Sequence, residues 1–231
     1  ELRGIRGILA DRMTVSRRTI PDASCGLAVD ASRLLAIRSR LQDDEPDRSA
    51  DVTPFTMILA ATVQALHRWP MLNATLDEAN RTIHLLDDIH LGIATATEHG
   101  LMVPVLHDAH RCSLADMAAE TRRLAAGARD RSLAPSELMG STFTVSNFGA
   151  FGVDDGVPVI NHPEAAILGI GAIAPRPWVA NDALSVRSAV TLTVAFDHRV
   201  CDGAEAAGFL RTLGDLIENA ELDLDSPLLA R

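Results

Sequence analysis

The chain has 231 residues, of which 21 are basic and 31 acidic, giving a formal net charge of −10, and 47% of it is hydrophobic. That length and apolar share suffice for one sizeable core, whereas an acidic balance with dispersed basic residues repels nucleic acid and anionic membrane surfaces. No run of eighteen apolar residues occurs and the first residues lack a signal peptide's apolar segment, so a soluble, cytoplasmic protein without membrane or nucleic-acid partners is expected.

An arginine-rich segment, residues 3–17, reads as an opening helix, and residues 25–29 as a short strand. Asp30 or Ser32 caps a helix carrying Leu34, Leu35, Ile37 and Leu41 at helical spacing, and the acidic run 42–51 is a solvated loop. Thr53-Pro54, a cap followed by proline at the first helical position, opens a buried helix that reaches Trp69 and stops at Pro70. Residues 82–86, 90–94 and 101–105 read as strands, Pro104 demanding an edge or an irregularity. Ser113-x-x-Asp116 opens an amphipathic helix to about residue 128. Residues 142–146, 165–172 and 189–196 are further strands, and 204–217 is a helix with Ala207, Leu210, Leu213 and Ile217 along one face. The pattern is α/β, without internal repeats; strand order does not follow from it.

Asp197-His198-Arg199-Val200-Cys201-Asp202-Gly203 joins the last strand to the last helix. A strand-to-helix turn projects side chains out of the sheet, and a histidine there exchanges a proton near neutral pH. On its own the run also suits a surface turn. Cys25, Cys112 and Cys201 are odd in number and lack a C-x-x-C pair, against both a disulfide framework and a structural zinc site. Gly149, Gly152 and Gly156 match no phosphate-loop spacing. His107, Asp108 and His110 lack an evident fourth metal ligand and read as loop residues, and His162 before Pro163 reads as a turn or interface residue rather than a second base.

Taken with residues 141–173, including Thr144-Val145-Ser146-Asn147-Phe148-Gly149 and Asn161-His162-Pro163-Glu164-Ala165-Ala166-Ile167-Leu168-Gly169, this turn resembles the catalytic domain of the 2-oxo acid dehydrogenase dihydrolipoyl acyltransferases. Three more stretches agree in order: Gly4-Ile5-Arg6 through Asp11-Arg12-Met13, Ser16 and Thr19-Ile20-Pro21; Pro70-Met71-Leu72-Asn73-Ala74; and Gly100-Leu101-Met102-Val103-Pro104-Val105. Asp22 departs from the family's frequent histidine after the proline. The resemblance implies a chloramphenicol-acetyltransferase-like, coenzyme A-dependent acyltransferase sandwich with a mixed sheet and flanking helices, residues 1–231 forming a single catalytic domain.

It also implies acyl transfer between dihydrolipoamide and coenzyme A in the core of a 2-oxo acid dehydrogenase complex; residues 152–163 resemble bacterial branched-chain members more than acetyl or succinyl ones. The alternatives are a mainly structural scaffold and an O-acetyltransferase acting on an antibiotic. Coenzyme A enters as a substrate whose contact residues are unassigned, and no metal is implied. The implied partners are further copies, as a homotrimer with its site between subunits that assembles into a larger core, a lipoyl domain, and the decarboxylase and dihydrolipoyl dehydrogenase components. Pro227-Leu228-Leu229 resembles the apolar tail used in that assembly. All 21 basic residues are arginine, so the lipoyl group, which the family attaches to lysine, must come from another domain or chain.

Acyl transfer between two thiols needs one group to take a proton from the attacking sulfur and return one to the departing sulfur, and the resemblance gives this role to His198. A thiol near ~8.5 and an imidazole near ~6.5 make that transfer uphill by only about 3 kcal/mol. Ser146 is the implied donor to the oxyanion of the tetrahedral intermediate; it sits in V-S-N-F-G and not in the G-x-S-x-G turn of a hydrolase nucleophile. The resemblance implies that Asp202 organises the site through an arginine, with Arg12, Arg17 and Arg18 as candidates. Asp197 and Arg199 hold the turn, Gly203 opens the final helix, and Cys201 is a buried inert thiol.

Overall fold

The computed structural model describes residues 4–98, 100–180, 182–220, 224, 225, 228 and 229, and of these not the side chains of Ile5, Arg6 and Ile8; Pro227 of the expected apolar tail lies outside them. Apolar runs from both halves of the chain build a mixed sheet in the order β1 (Asp22–Asp30), β10 (Ala183–Asp197), β8 (Ala166–Ile170), β7 (Phe143–Asn147), β4 (Leu91–Thr97) and β5 (Gly100–Met102). Strand β7 runs parallel to both β4 and β8, and the other pairs are antiparallel. Pro104 interrupts the third expected strand, splitting it into β5 and β6 (Val105–Leu106), and β6 pairs with β4.

One face of the sheet carries Val145, Leu168, Ile170, Leu192, Val194 and Phe196 into a core completed by four helices, α2 (Ser32–Asp44), α3 (Pro54–Arg68), α4 (Leu114–Asp130) and α5 (Gly203–Glu218). Helix α3 is buried on nearly every side, among α2, α4 and α5. Each large apolar side chain it withdraws from water contributes roughly 1.5–3 kcal/mol. Its start is as expected: Thr53 and Thr56 form a capping box ahead of Pro54. Ser113 caps α4 through its side chain, whereas the cap of α2 is Ala31, and Asp30 accepts from the backbone of Ser32. On α5 the buried line is Ala206, Phe209, Leu210, Leu213 and Ile217; Ala207 is exposed, one position off the expected face.

The opposite face carries Thr144, Ser146, Ile167, Thr193 and Ala195, because successive strand residues alternate between faces. Here the end of α1 (Gly4–Thr19) and the segment 148–160 close over the sheet, with Ile20, Ile160, Ile167 and Ala195 as a second, smaller apolar cluster. Ser16 fixes the two together by donating to the Ile160 carbonyl at 2.7 Å. The glycines of this segment serve packing: a Cβ on Gly149 would lie 2.2 Å from the Gly171 carbonyl oxygen, and one on Gly171 2.0 Å from that of Asp154.

Two strands were not expected. β2 (Ala74–Asp77) pairs with β3 (Thr82–Leu85) as a small separate hairpin. β9 (Ala174–Ala180) pairs with the first half of β10, making a ribbon that leaves Val179, Leu184 and Val186 more than 70% exposed. No helix among the described residues is long and apolar enough to cross a membrane.

Candidate active site

His198 stands on the exposed turn immediately after β10, and its surroundings explain why the turn keeps one shape. Asp197, 3% exposed, accepts from the Arg199 backbone at 2.9 Å and from the Arg199 guanidinium through Nε at 3.0 Å and Nη2 at 2.7 Å. The Asp197 carbonyl accepts from Val200 and Cys201, and the His198 N–H donates to Pro21 at 3.1 Å. Arg199 extends a further bond of 2.8 Å to Glu78 in the β2–β3 connection. Asp197 and Arg199 therefore hold the turn, as expected, and His198 projects from it with its ring 5.5 Å from that of Phe196.

Ser146 lies near the end of β7, level with Ala94 on one side and Gly169 on the other. Together with Thr144, two residues earlier on the same face, it lines an apolar cavity of about 480 Å³ between the sheet, α1, and the stretches around Leu138 and Val159. The register fixes its distance from the histidine. Gly169 faces Thr193 on β10, so Ser146 and Asp197 are two strands and four residues apart, roughly 16 Å between Cα atoms. One chain does not bring Ser146 and His198 onto the same reacting atom.

Behind the cavity wall a charged residue type is buried. Glu164, 2% exposed, accepts at Oε1 from Ser141 Oγ, from Thr144 Oγ1 at 2.9 Å and from Asn161 Nδ2 at 2.8 Å, while its Oε2 is buried without a partner. Burial pushes the carboxyl up to about 7, against the lowering effect of the hydroxyl and amide donors. A carboxyl raised above its unfolded value of ~4.5 favours the fold fully below that value and ceases to as pH climbs through about 7. Melting temperature of the wild type should thus fall more between about pH 4.5 and about pH 7 than that of Glu164→Gln, whose amide does not ionise; parallel profiles would refute the shift.

Asp202 caps α5, accepting from the backbones of Ala204 at 2.8 Å and Glu205 at 3.0 Å while Glu205 bonds back to Asp202 N. Within the described residues no arginine pairs with it, contrary to expectation: Arg17 pairs with Asp22, the residue standing where the family often has histidine, and Arg12 lines the cavity. Gly203 has open space where a Cβ would be and no unusual φ, so nothing in its own chain requires a glycine. The thiol of Cys201 is 3.2 Å from the Met71 carbonyl and burial pushes it up to about 12, an unreactive state.

His90, which the sequence reading left in a strand, adjoins Asp88 and Asp108 in metal-like proximity, with all ligand atoms within 4.8 Å. Its Nδ1 accepts from the Asp108 backbone at 2.9 Å, and His110 Nδ1 accepts from Ile89 at 3.2 Å. A neutral imidazole that accepts at Nδ1 carries its proton on Nε2 and has no second lone pair to offer a metal. Burial lowers the His90 value, which keeps it in that neutral form.

These features define a chloramphenicol-acetyltransferase-like fold: chloramphenicol acetyltransferase superposes with a TM-score of 0.54 over 90% of this chain and 94% of its own, at 14% identity, a likeness of fold alone. The family model described as 2-oxoacid dehydrogenases acyltransferase (catalytic domain) matches residues 1–224, and the chain belongs to that family. It is 38% identical over 94% of its length to the lipoamide acyltransferase component of the branched-chain alpha-keto acid dehydrogenase complex of Pseudomonas aeruginosa, and 35% identical over 97% to the dihydrolipoyllysine-residue acetyltransferase component of the Bacillus subtilis pyruvate dehydrogenase complex. It spans about half the length of either, 50% and 51%. Among solved structures, Azotobacter vinelandii dihydrolipoamide acetyltransferase, studied for the catalytic roles of a serine, a histidine and an asparagine, has a TM-score of 0.89 at 30% identity, covering 95% of this chain and 92% of its own. The cubic core of a pyruvate dehydrogenase multienzyme complex gives 0.87 at 29%, with the same coverage.

Proposed function

We propose that this chain, as a single catalytic domain, moves an acyl group between the thiols of dihydrolipoamide and coenzyme A, with His198 passing the proton and Ser146 binding the oxyanion. The observation that carries this reading is the separation of the two groups: a hydroxyl opening into an apolar cavity, and a histidine on a rigid exposed turn whose preceding residue, Asp197, has its Cα roughly 16 Å from that of Ser146. Each is half of a site that a second copy completes. The ribbon of β9 and β10 supports such copies, because Val179, Leu184 and Val186 project into water from an isolated chain. A homotrimer built into a larger core is the assembly we infer, as in the cubic core it resembles.

Residue spacing supports the site. The serine, histidine and asparagine studied in the Azotobacter enzyme are separated by 52 and 4 positions, as are Ser146, His198 and Asp202 here. Asp and Asn are equivalent helix caps. Capping α5 is therefore the role proposed for Asp202, which fixes the turn that carries His198. The lipoyl group arrives from another domain or chain, with decarboxylase and dihydrolipoyl dehydrogenase components as the other partners. Three free thiols fit a reducing cytoplasmic setting.

Among acyl groups a branched chain is the finer proposal, supported by the apolar cavity and by the Pseudomonas relative. Purified protein offered acetyl-, isobutyryl- and succinyl-coenzyme A with free dihydrolipoamide should transfer isobutyryl fastest and succinyl slowest. Preference for acetyl would assign the pyruvate type. No transfer by an assembled protein would leave a scaffold.

A further inference from the structure

The acyl-transfer reading gives no task to Glu164, yet no other charged side chain in the cavity wall's vicinity is so deeply buried around one accepting oxygen. Three donors converge on its Oε1: Ser141, Thr144 and Asn161. Two of these, Thr144 and Asn161, line the cavity with Ser146, and Asn161 Nδ2 also lies 3.3 Å from the hydroxyls of Ser141 and Thr144. Space for this cluster is tight: a Cβ on Gly92, the register partner of Thr144, would lie 2.7 Å from Thr144 Oγ1 and 3.1 Å from Ser141 Cβ. The backbone of Glu164 is held independently by a bridge to Thr75 on β2.

Resting on the acyl-transfer reading, we propose that Glu164 is a positioning residue for the reaction: an internal acceptor that aims Thr144 and Asn161 along the cavity wall and so sets where the thioester lies against Ser146. The hydroxyl proton of Thr144 and one amide proton of Asn161 are spent on Glu164 Oε1, and the amide also faces the Ser141 and Thr144 hydroxyls, so these donors are turned away from the cavity. Ser146, on the same face of β7 one step further, then keeps its own hydroxyl proton for the developing oxyanion. A bare carbon side chain at position 164 would free those donors to point into the cavity. Misplacement of a thioester by about 1 Å costs up to about 100-fold in rate.

The role requires an accepting oxygen and no charge, so Glu164→Gln and Glu164→Leu separate it from simple stability. With acyl-coenzyme A and free dihydrolipoamide, kcat of Glu164→Leu should fall at least about 10-fold while Glu164→Gln stays within about 3-fold of wild type. Thr144→Val should also lower kcat and, combined with Glu164→Leu, add little, because both act through one cluster. Should Glu164→Leu fail to fold, Thr144→Val carries the test, with the loss expected at a melting temperature close to wild type. Wild-type rates in Glu164→Leu or Thr144→Val, or equal impairment in Glu164→Gln and Glu164→Leu, would overturn the positioning role alone. A wild type with no transfer would overturn it together with the acyl-transfer reading.

Discussion

His198→Ala should lower the rate of acyl transfer by about 10³-fold, within the usual range of about 10²–10⁴ for a lost acid–base group, and leave melting temperature and oligomer size unchanged. The fold gives the reason for that separation. His198 is exposed, and the bonds that shape its turn run through its backbone and through Asp197 and Arg199, not through the imidazole. Removing the ring takes away the proposed proton carrier and one contact with Phe196. Kinetics on the thioester panel, with light scattering on the same samples, provide the check. A variant that keeps wild-type rates would deny His198 its role.

Arg199→Ala should produce the largest loss of stability among turn variants. Asp197 has only 4% of its side chain exposed and relies on Arg199, itself 33% exposed, for a two-pronged ion pair. Removing one partner of such a pair leaves a desolvated carboxylate, which costs about 3 kcal/mol. In a domain of this size that corresponds to roughly 9 °C in melting temperature. Activity should fall as well, since the turn loses the bonds that aim His198. Asp197→Asn with Arg199→Ala should recover part of the stability, because no buried charge then remains. Calorimetry on the three proteins decides it: no difference between Arg199→Ala and wild type would mean that water replaces the guanidinium.

The helices were legible because their start signals are local: Thr53-Pro54 and Ser113-x-x-Asp116 name their own caps. β9 was not, since Pro175 and Pro177 break the apolar alternation expected of a strand. They are tolerated because, among the described residues, β9 pairs only with β10, so its other edge needs no N–H donors. The Asn181-Asp182 pair after it was a usable hairpin signal, and Asp182 does adopt a left-handed φ of 59°.

Of the proposed site, His198, Ser146 and Asp202 were legible as residues of short motifs. Their spatial relation was hidden, for it depends on a register carried across β7, β8 and β10. Glu164 was hidden for a different reason. A glutamate after proline reads as a surface residue, and only the convergence of Ser141, Thr144 and Asn161 on it reveals a buried acceptor.

The central claim, a site shared between copies, is tested most directly by mixing. Ser146→Ala and His198→Ala proteins, each deficient in acyl transfer, would be dissociated and reassembled together, then assayed with acyl-coenzyme A and dihydrolipoamide. Random association should return about a quarter of the wild-type sites, formed where an intact His198 meets an intact Ser146 of a neighbouring copy. A mixture no more active than its two components would contradict a shared site and place serine and histidine function within one chain.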